Sequence, residues 1–174
     1  MKASLLPTIT RCWTRIGHQR VIPTPGPHAA KCWDWGVVDV VSGHTLHVIH
    51  PRRNNIGFRR LLAVIARHYD LANYPNRQVV LFVDNDRAHK AKVVERLLTK
   101  HNHQIRVKFL APYSPEFNPQ EDIWQHLRRQ VTHNHYFENI PALTAALDEF
   151  HRGLQADPAQ VLRLTAKWAK LIAA

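Results

Sequence analysis

The sequence predicts a mixed α/β domain with helices packed against a central sheet. Three observations carry this. A β-rich hairpin pattern fills residues 32–49, a continuous apolar run at 78–83 lies between two stretches of helical period, and the chain after residue 119 is helical in period throughout. The predicted order is therefore hairpin, helix, strand, helix, strand, then helices.

The first thirty residues are irregular, and Pro23, Pro25 and Pro27 with Gly26 form a stiff connector that fits neither a helix nor a central strand. Cys32 to Val41 and His44 to Ile49 are two β-rich runs about a two-residue Ser42-Gly43 break, which predicts a hairpin. Phe58, Leu61, Leu62, Ile65, Ala66 and Tyr69 then form one apolar helical stripe, ended by Tyr74-Pro75-Asn76. Gln78 to Val83 has the pattern of a strand buried on both faces. Val93, Val94, Leu97 and Leu98 mark the inner face of a second helix, and Ile105, Val107 and Phe109 alternate along a short strand. Pro112 to Pro119 is a proline-punctuated loop. Ile123, Trp124, Leu127 and Val131 mark a third helix, and Ile140, Leu143, Leu147 and Phe150 a fourth. Val161, Leu164, Trp168, Leu171 and Ile172 mark the last, with Asp157-Pro158 as its start signal. The five tryptophans read mostly as core, Trp124 packing its helix on the sheet and Trp33 and Trp35 sharing one strand face.

At 174 residues the chain fits one domain or a domain with an appendage. It has no apolar run long enough for a membrane span, and Met1 to Pro7 lacks the hydrophobic stretch of a secretory signal. Cys12 and Cys32 are too few for a disulfide framework. Lys and Arg number 24 against 13 Asp and Glu, a net charge of +11, which suits a polyanion and above all nucleic acid. A basic protein with no such partner is the rival reading.

Two carboxylates stand where chemistry is possible. Asp84 follows the buried strand directly, and ligands of open α/β sheets gather beyond the carboxyl ends of strands. It reads equally as a turn or cap aspartate, although Asp86 is the better cap. Glu121 lies third after Asn118, with Pro119 at the first helical position, which is the pattern of a capping box. The same placement sets a carboxylate at the rim of the sheet, near the positive end of a helix dipole. For both residues the two readings stand together.

Asp84-Asn85 with His89, followed by Ala111-Pro112-Tyr113-Ser114-Pro115-Glu116-Phe117-Asn118-Pro119-Gln120-Glu121 and Trp124, resembles the DDE transposases, in particular the mariner-like branch of bacterial insertion-sequence transposases. Asp84 and Glu121 are 37 residues apart, close to that branch's usual spacing between its second and third acids. The likeness runs from about residue 5 to 150, through Leu5-Leu6-Pro7, Trp13 and Gly17. It implies a ribonuclease-H-like catalytic domain over residues 1–151 with a carboxy-terminal amphipathic helix over 152–174. It also implies two-metal phosphodiester chemistry with Mg²⁺, or Mn²⁺ as substitute, on Asp84 and Glu121. The implied partners are transposon-end and target DNA and a second copy of the chain, in the bacterial cytoplasm at the nucleoid. Arg87, His89, Lys90 and Lys92 on one side, and Arg128 and Arg129 on the other, would hold the DNA backbone or simply form solvated helix faces.

The family's first acid belongs on the opening strand, as part of an Asp-Glu pair a few residues before Leu-Leu-Pro. Here Leu5 is preceded by Met1-Lys2-Ala3-Ser4. The expectation is an amino-terminally incomplete domain with its opening strand partly missing and its activity impaired: a decayed copy, a split-frame product or a start placed too far downstream. Asp34 and Asp39 are poor substitutes, since the first lies on the neighbouring hairpin strand and the second near its turn. Two other readings compete. A histidine metal site is opposed by strand parity, which puts His44 and His50 on one face and His47 on the other, and the His-Asn-His strings at 101–103 and 133–135 add little. A non-catalytic basic DNA-binding or oligomerisation remnant would keep the charge without the chemistry.

Overall fold

The computed structural model describes all residues except 25, 27–28, 101–103, 113 and 169–174. Part of the proline connector, the first His-Asn-His string, Tyr113, Leu171 and Ile172 thus lie outside the described residues. Strands β1 (Lys2–Ser4), β2 (Lys31–Val38) and β3 (Thr45–His50) form an antiparallel sheet in that order. Strands β4 (Val79–Val83) and β5 (Ile105–Phe109) form a separate parallel pair. Helix α1 (Asn55–His68) joins the two sheets and α2 (Lys92–Lys100) joins β4 to β5. Helices α3 (Pro119–Leu127), α4 (Ile140–Ala156) and α5 (Pro158–Leu164) follow, with a wide turn at Arg128–Thr132 after α3.

Helices α1, α3, α4 and α5 start where the sequence provides a cap. Asn54, Asn118, Asn139 and Asp157 accept first-turn N–H groups through their side chains, and Pro119, Pro141 and Pro158 lie in first turns whose N–H groups have no helical partner. The apolar stripe of α1 is buried at Phe58, Leu61, Leu62 and Ile65. It packs Trp35, Val37, Leu46 and Val48 of the first sheet together with Leu81, Val83 and Ile105 of the second, so one core spans both. On the opposite face of β2, Ala3, Cys32, Trp124, Leu127, Leu143 and Leu147 form a second core beneath α3 and α4. Ile123, Leu154 and Val161 join α5 to it.

Three expectations are corrected. The β2–β3 connection is six residues long, not two, because Asp39 accepts the Val41 and Ser42 N–H groups and the Ser42 hydroxyl, drawing Val40 and Val41 out of the strand. Gly43 closes this loop at φ +77°, and a Cβ there would lie 2.4 Å from the Pro158 carbonyl oxygen. Strand β4 is buried on one face only: Val80 and Phe82 are about half exposed, since α1 and α2 cover the other side. Trp13 is fully exposed rather than core. Among the described residues no helix is long and apolar enough to cross a membrane.

The histidines of the hairpin are parted as strand parity requires. His44 meets His68 of α1, His50 donates from Nδ1 to the Arg52 carbonyl oxygen at 2.8 Å, and His47 turns to α4, where its ring stacks 3.9 Å from His151 and its Nε2 lies 3.0 Å from Asp148. Burial, then the neighbouring His151, lowers the pKa of His47 below its ordinary value of 6.5. The unfolded chain therefore takes up this proton more readily than the folded one, so His47 contributes stability that is present above about pH 6.5 and lost as pH falls through the lowered folded value. The urea midpoint is expected to drop between about pH 7.5 and pH 5.5. His47→Gln should reduce that drop, and an unchanged drop would place the titration elsewhere.

Candidate active site

Parallel strands end together, and the ends of β4 and β5 are tied by side chains. Asn85 donates its amide to the Leu110 carbonyl at 2.7 Å and accepts the Lys90 ammonium at 2.8 Å, and that ammonium lies 5.1 Å over the Phe109 ring. Residues 84–91 form a turn rather than the start of a helix, α2 beginning only at Lys92. In this turn Asp84 Oδ1 accepts the Asp86 N–H at 3.1 Å. Asp86 in turn caps Ala88 N–H and binds Arg53, whose Nε lies 2.6 Å from Oδ2. The turn reading of Asp84 is thus correct for one oxygen, and Oδ2 has no protein partner among the described residues.

The His89 hydrogen bond, with lesser help from Asp86 N–H, His89 charge and Arg53, holds the Asp84 carboxyl below the usual range against the opposing effect of burial. The side chain is 60% exposed and is set to be an anion.

Glu121 sits in the first turn of α3, as its spacing predicts. Asn118 accepts the Gln120 N–H at 3.1 Å, while the Glu121 carboxylate reaches forward along the helix to Arg128, 3.6 Å away. The cap forms without the glutamate's half of the box, which leaves this carboxylate at the rim. Trp124, one turn on, holds α3 against Gly36 of β2, where no Cβ intervenes.

Both Asp84 and Glu121 act electrostatically on the amino group of Met1, at the start of β1, whose pKa is lowered by burial and raised by Asp34, Glu121 and Asp84. Asp34 itself is spent elsewhere: its buried Oδ2 meets His151 Nε2 at 2.7 Å. Asp39 lies in the β2–β3 loop with the Tyr69 hydroxyl. No group of three or more His, Cys, Asp or Glu side chains placed for a metal occurs among the described residues. Two carboxylates, one with a free oxygen and one at a helix amino terminus, are a donor set that suits Mg²⁺ or Mn²⁺, ions bound through a few carboxylates with water and phosphate oxygens.

Of the basic residues, Arg87, Lys92 and Arg129 are exposed, Lys90 is engaged with Asn85, Arg128 is engaged with Glu121, and the His89 ring turns inward. Sequence reasoning missed Arg53. It lies 31 residues before Asp84 in a polar loop, and only the fold brings it to Asp86.

A family model described as "DDE superfamily endonuclease" matches residues 1–144. The insertion element IS630 uncharacterized 39 kDa protein of Shigella sonnei is 30% identical over 146 residues, covering 84% of this chain and 41% of that protein. The chain thus spans less than half the length of this curated relative. Among solved structures, the mariner Mos1 paired end complex with Mg superposes at a TM-score of 0.65 and 18% identity, over 99% of this chain and 52% of that one. The catalytic domain of Mos1 mariner transposase superposes at 0.52 and 18% identity, over 79% of this chain and 74% of that one. The fold is accordingly ribonuclease-H-like, with its strands in two sheets, β1–β2–β3 and β4–β5.

Proposed function

The chain belongs to the DDE superfamily of endonucleases, and from that premise we propose that it acts on transposon-end DNA, cutting and transferring phosphodiester bonds at a site built on Asp84 and Glu121. What supports this reading is that both carboxylates, one just after β4 and one in the first turn of α3, raise the pKa of the amino group just before β1. Asp84 offers its free Oδ2 and Glu121 its rim carboxylate as oxygen ligands to a divalent cation. Bound Mg²⁺ or Mn²⁺ supplies the activation of an attacking water or 3′-hydroxyl and the stabilisation of the leaving oxygen. Arg87, Lys92 and Arg129 lie exposed on the elements that carry the two acids or adjoin them, and hold the phosphate backbone by charge without reading sequence. Two copies of the chain, one on each transposon end, are the proposed assembly.

Two carboxylates with no third ligand among the described residues hold cations weakly, so cleavage is expected to be slow beside binding. Duplex DNA carrying the terminal repeats of the encoding element tests the reading, with Mn²⁺ present or replaced by chelator. Nicking that needs Mn²⁺ is expected, with Asp84→Asn and Glu121→Gln each losing more than the roughly 10–100-fold that removal of a supporting residue costs. Salt-dependent DNA binding should survive both. Binding with no Mn²⁺-dependent nicking over long incubation would instead establish the non-catalytic basic DNA-binding module that the +11 charge also fits.

A further inference from the structure

We infer that His89 is a positioning residue, clamping Asp84 from behind so that Oδ1 is occupied and Oδ2 alone faces the cation. The inference rests on the reading of Asp84 as a metal ligand and adds the device that orients it. His89 Nδ1 lies 3.1 Å from the Asp84 backbone oxygen and 3.2 Å from its Oδ1. A carbonyl oxygen only accepts, so Nδ1 carries a hydrogen in either charge state of the ring and donates it to that carbonyl, with the carboxylate in close contact beside it. Asp86 N–H reaches the same Oδ1 at 3.1 Å. The Asp86 N–H bond and the His89 contact on one oxygen fix the carboxylate plane, and the outward oxygen has no protein partner among the described residues.

The clamp works because the ring cannot swing. The His89 side chain is only 10% exposed. Its ring centre lies 4.3 Å from that of Phe58 and 5.9 Å from that of Trp35, the latter edge-on at 66°. Phe58 is 1% exposed in the core of α1. Trp35 is seated against Gly57, where a Cβ would lie 2.2 Å from the indole nitrogen. Rigid packing thus runs from Gly57 through Trp35 and Phe58 to His89 and on to Asp84, while Asp84 itself is 60% exposed. An exposed carboxylate with free χ angles would lose rotamer entropy on each cation it binds, and the buried imidazole removes that freedom beforehand.

His89→Phe and His89→Asn separate positioning from packing. Phenylalanine keeps the aromatic wedge and has no donor; asparagine places an amide N–H near the Nδ1 position and lacks the ring. Mn²⁺ is titrated into the full chain and free Mn²⁺ is read by electron paramagnetic resonance, with urea midpoints measured alongside. His89→Phe is expected to weaken Mn²⁺ binding about 10–100-fold at a near-unchanged midpoint, and His89→Asn to stay close to the unmutated chain. Should Asp84→Asn lose Mn²⁺ while His89→Phe keeps it, the clamp is refuted and the metal reading survives. Should neither variant alter Mn²⁺ binding, the metal reading falls and the clamp with it. Long-range ¹H–¹⁵N spectra of the unmutated chain need no variant to fold: an Nδ1–H tautomer supports the clamp, and a ring protonated at Nε2 alone overturns it.

Discussion

Replacing His151 by leucine is expected to cost about 3–5 kcal/mol of stability, the penalty for leaving a buried carboxylate without its partner. The Asp34 and His151 side chains are 0% and 1% exposed, and their contact of 2.7 Å joins β2 to α4 across 117 residues. The remaining polar atoms of the pair, Asp34 Oδ1 and His151 Nδ1, have no partner among the described residues, so each group depends on the other. Loss of one leaves the second buried with no hydrogen bond, which is worse than losing both. Leucine fills much of the imidazole's volume, so a cavity is a minor part of the effect. In urea the midpoint should fall by about 2 M at a slope of about 2 kcal/mol/M. Asp34→Val added to His151→Leu should restore most of the loss, because an apolar pair of similar volume replaces a buried hydrogen-bonded one at little net cost. A midpoint shift under about 0.3 M for His151→Leu would mean that Asp34 finds another donor or water, and that the pair does not hold α4 to the sheet.

Trp124→Ala is expected to remove a comparable 3–5 kcal/mol and to reach the site as well. Trp124 is 5% exposed and lies across Gly36, where a Cβ would fall 2.4 Å from the indole Cη2. The ring therefore rests on bare β2 backbone, and α3 lies closer to the sheet than any side chain at position 36 would allow. Glu121 is one turn before Trp124 on that helix, so a looser α3 also loosens the carboxylate. Gly36→Ala should destabilise by about 1–3 kcal/mol from the opposite direction, through overpacking. The two effects are coupled: in a Trp124→Phe background, where the six-membered outer ring is gone, Gly36→Ala should cost less than it does alone. Equal costs in both backgrounds would show that the close approach is not what makes glycine necessary. Mn²⁺ affinity measured on Trp124→Ala should fall along with stability, because α3 carries both features.

The parts of the fold legible in the sequence are those that local chemistry decides. The stripe from Phe58 to Ile65 is buried as its period requires, Asn118-Pro119 starts α3, and Asp157-Pro158 starts α5. Asp84 was placed at a strand end by the apolar run before it, and Glu121 in a first turn by its distance from Asn118. The destination of the Glu121 carboxylate was not legible. The capping pattern is the same whether the side chain folds back to the cap or forward to Arg128, and Arg128 is a helical turn or two further along. The exposed face of β4 is not legible for a related reason. Val80 and Phe82 are as apolar as Leu81 and Val83, and only the positions of α1 and α2 show which pair is covered.

Asp34 and His151 were the least legible of all. In the sequence Asp34 is a poor substitute acid and His151 carries no signal of a role, whereas the fold makes them a buried polar contact between β2 and α4. Likewise, His89 could be recognised as part of a motif from its spacing to Asp84, but its lodging between Trp35 and Phe58 depends on a hairpin and a helix that lie far earlier in the chain. Period, capping and turn chemistry act over a few residues, and so the linear order of side chains settled the elements, their ends and the addresses of the two acids. Which faces meet, which polar groups are sealed in together and which oxygen of a carboxylate stays free are decided by contacts between distant segments, whose energies exist only once the chain has closed on itself.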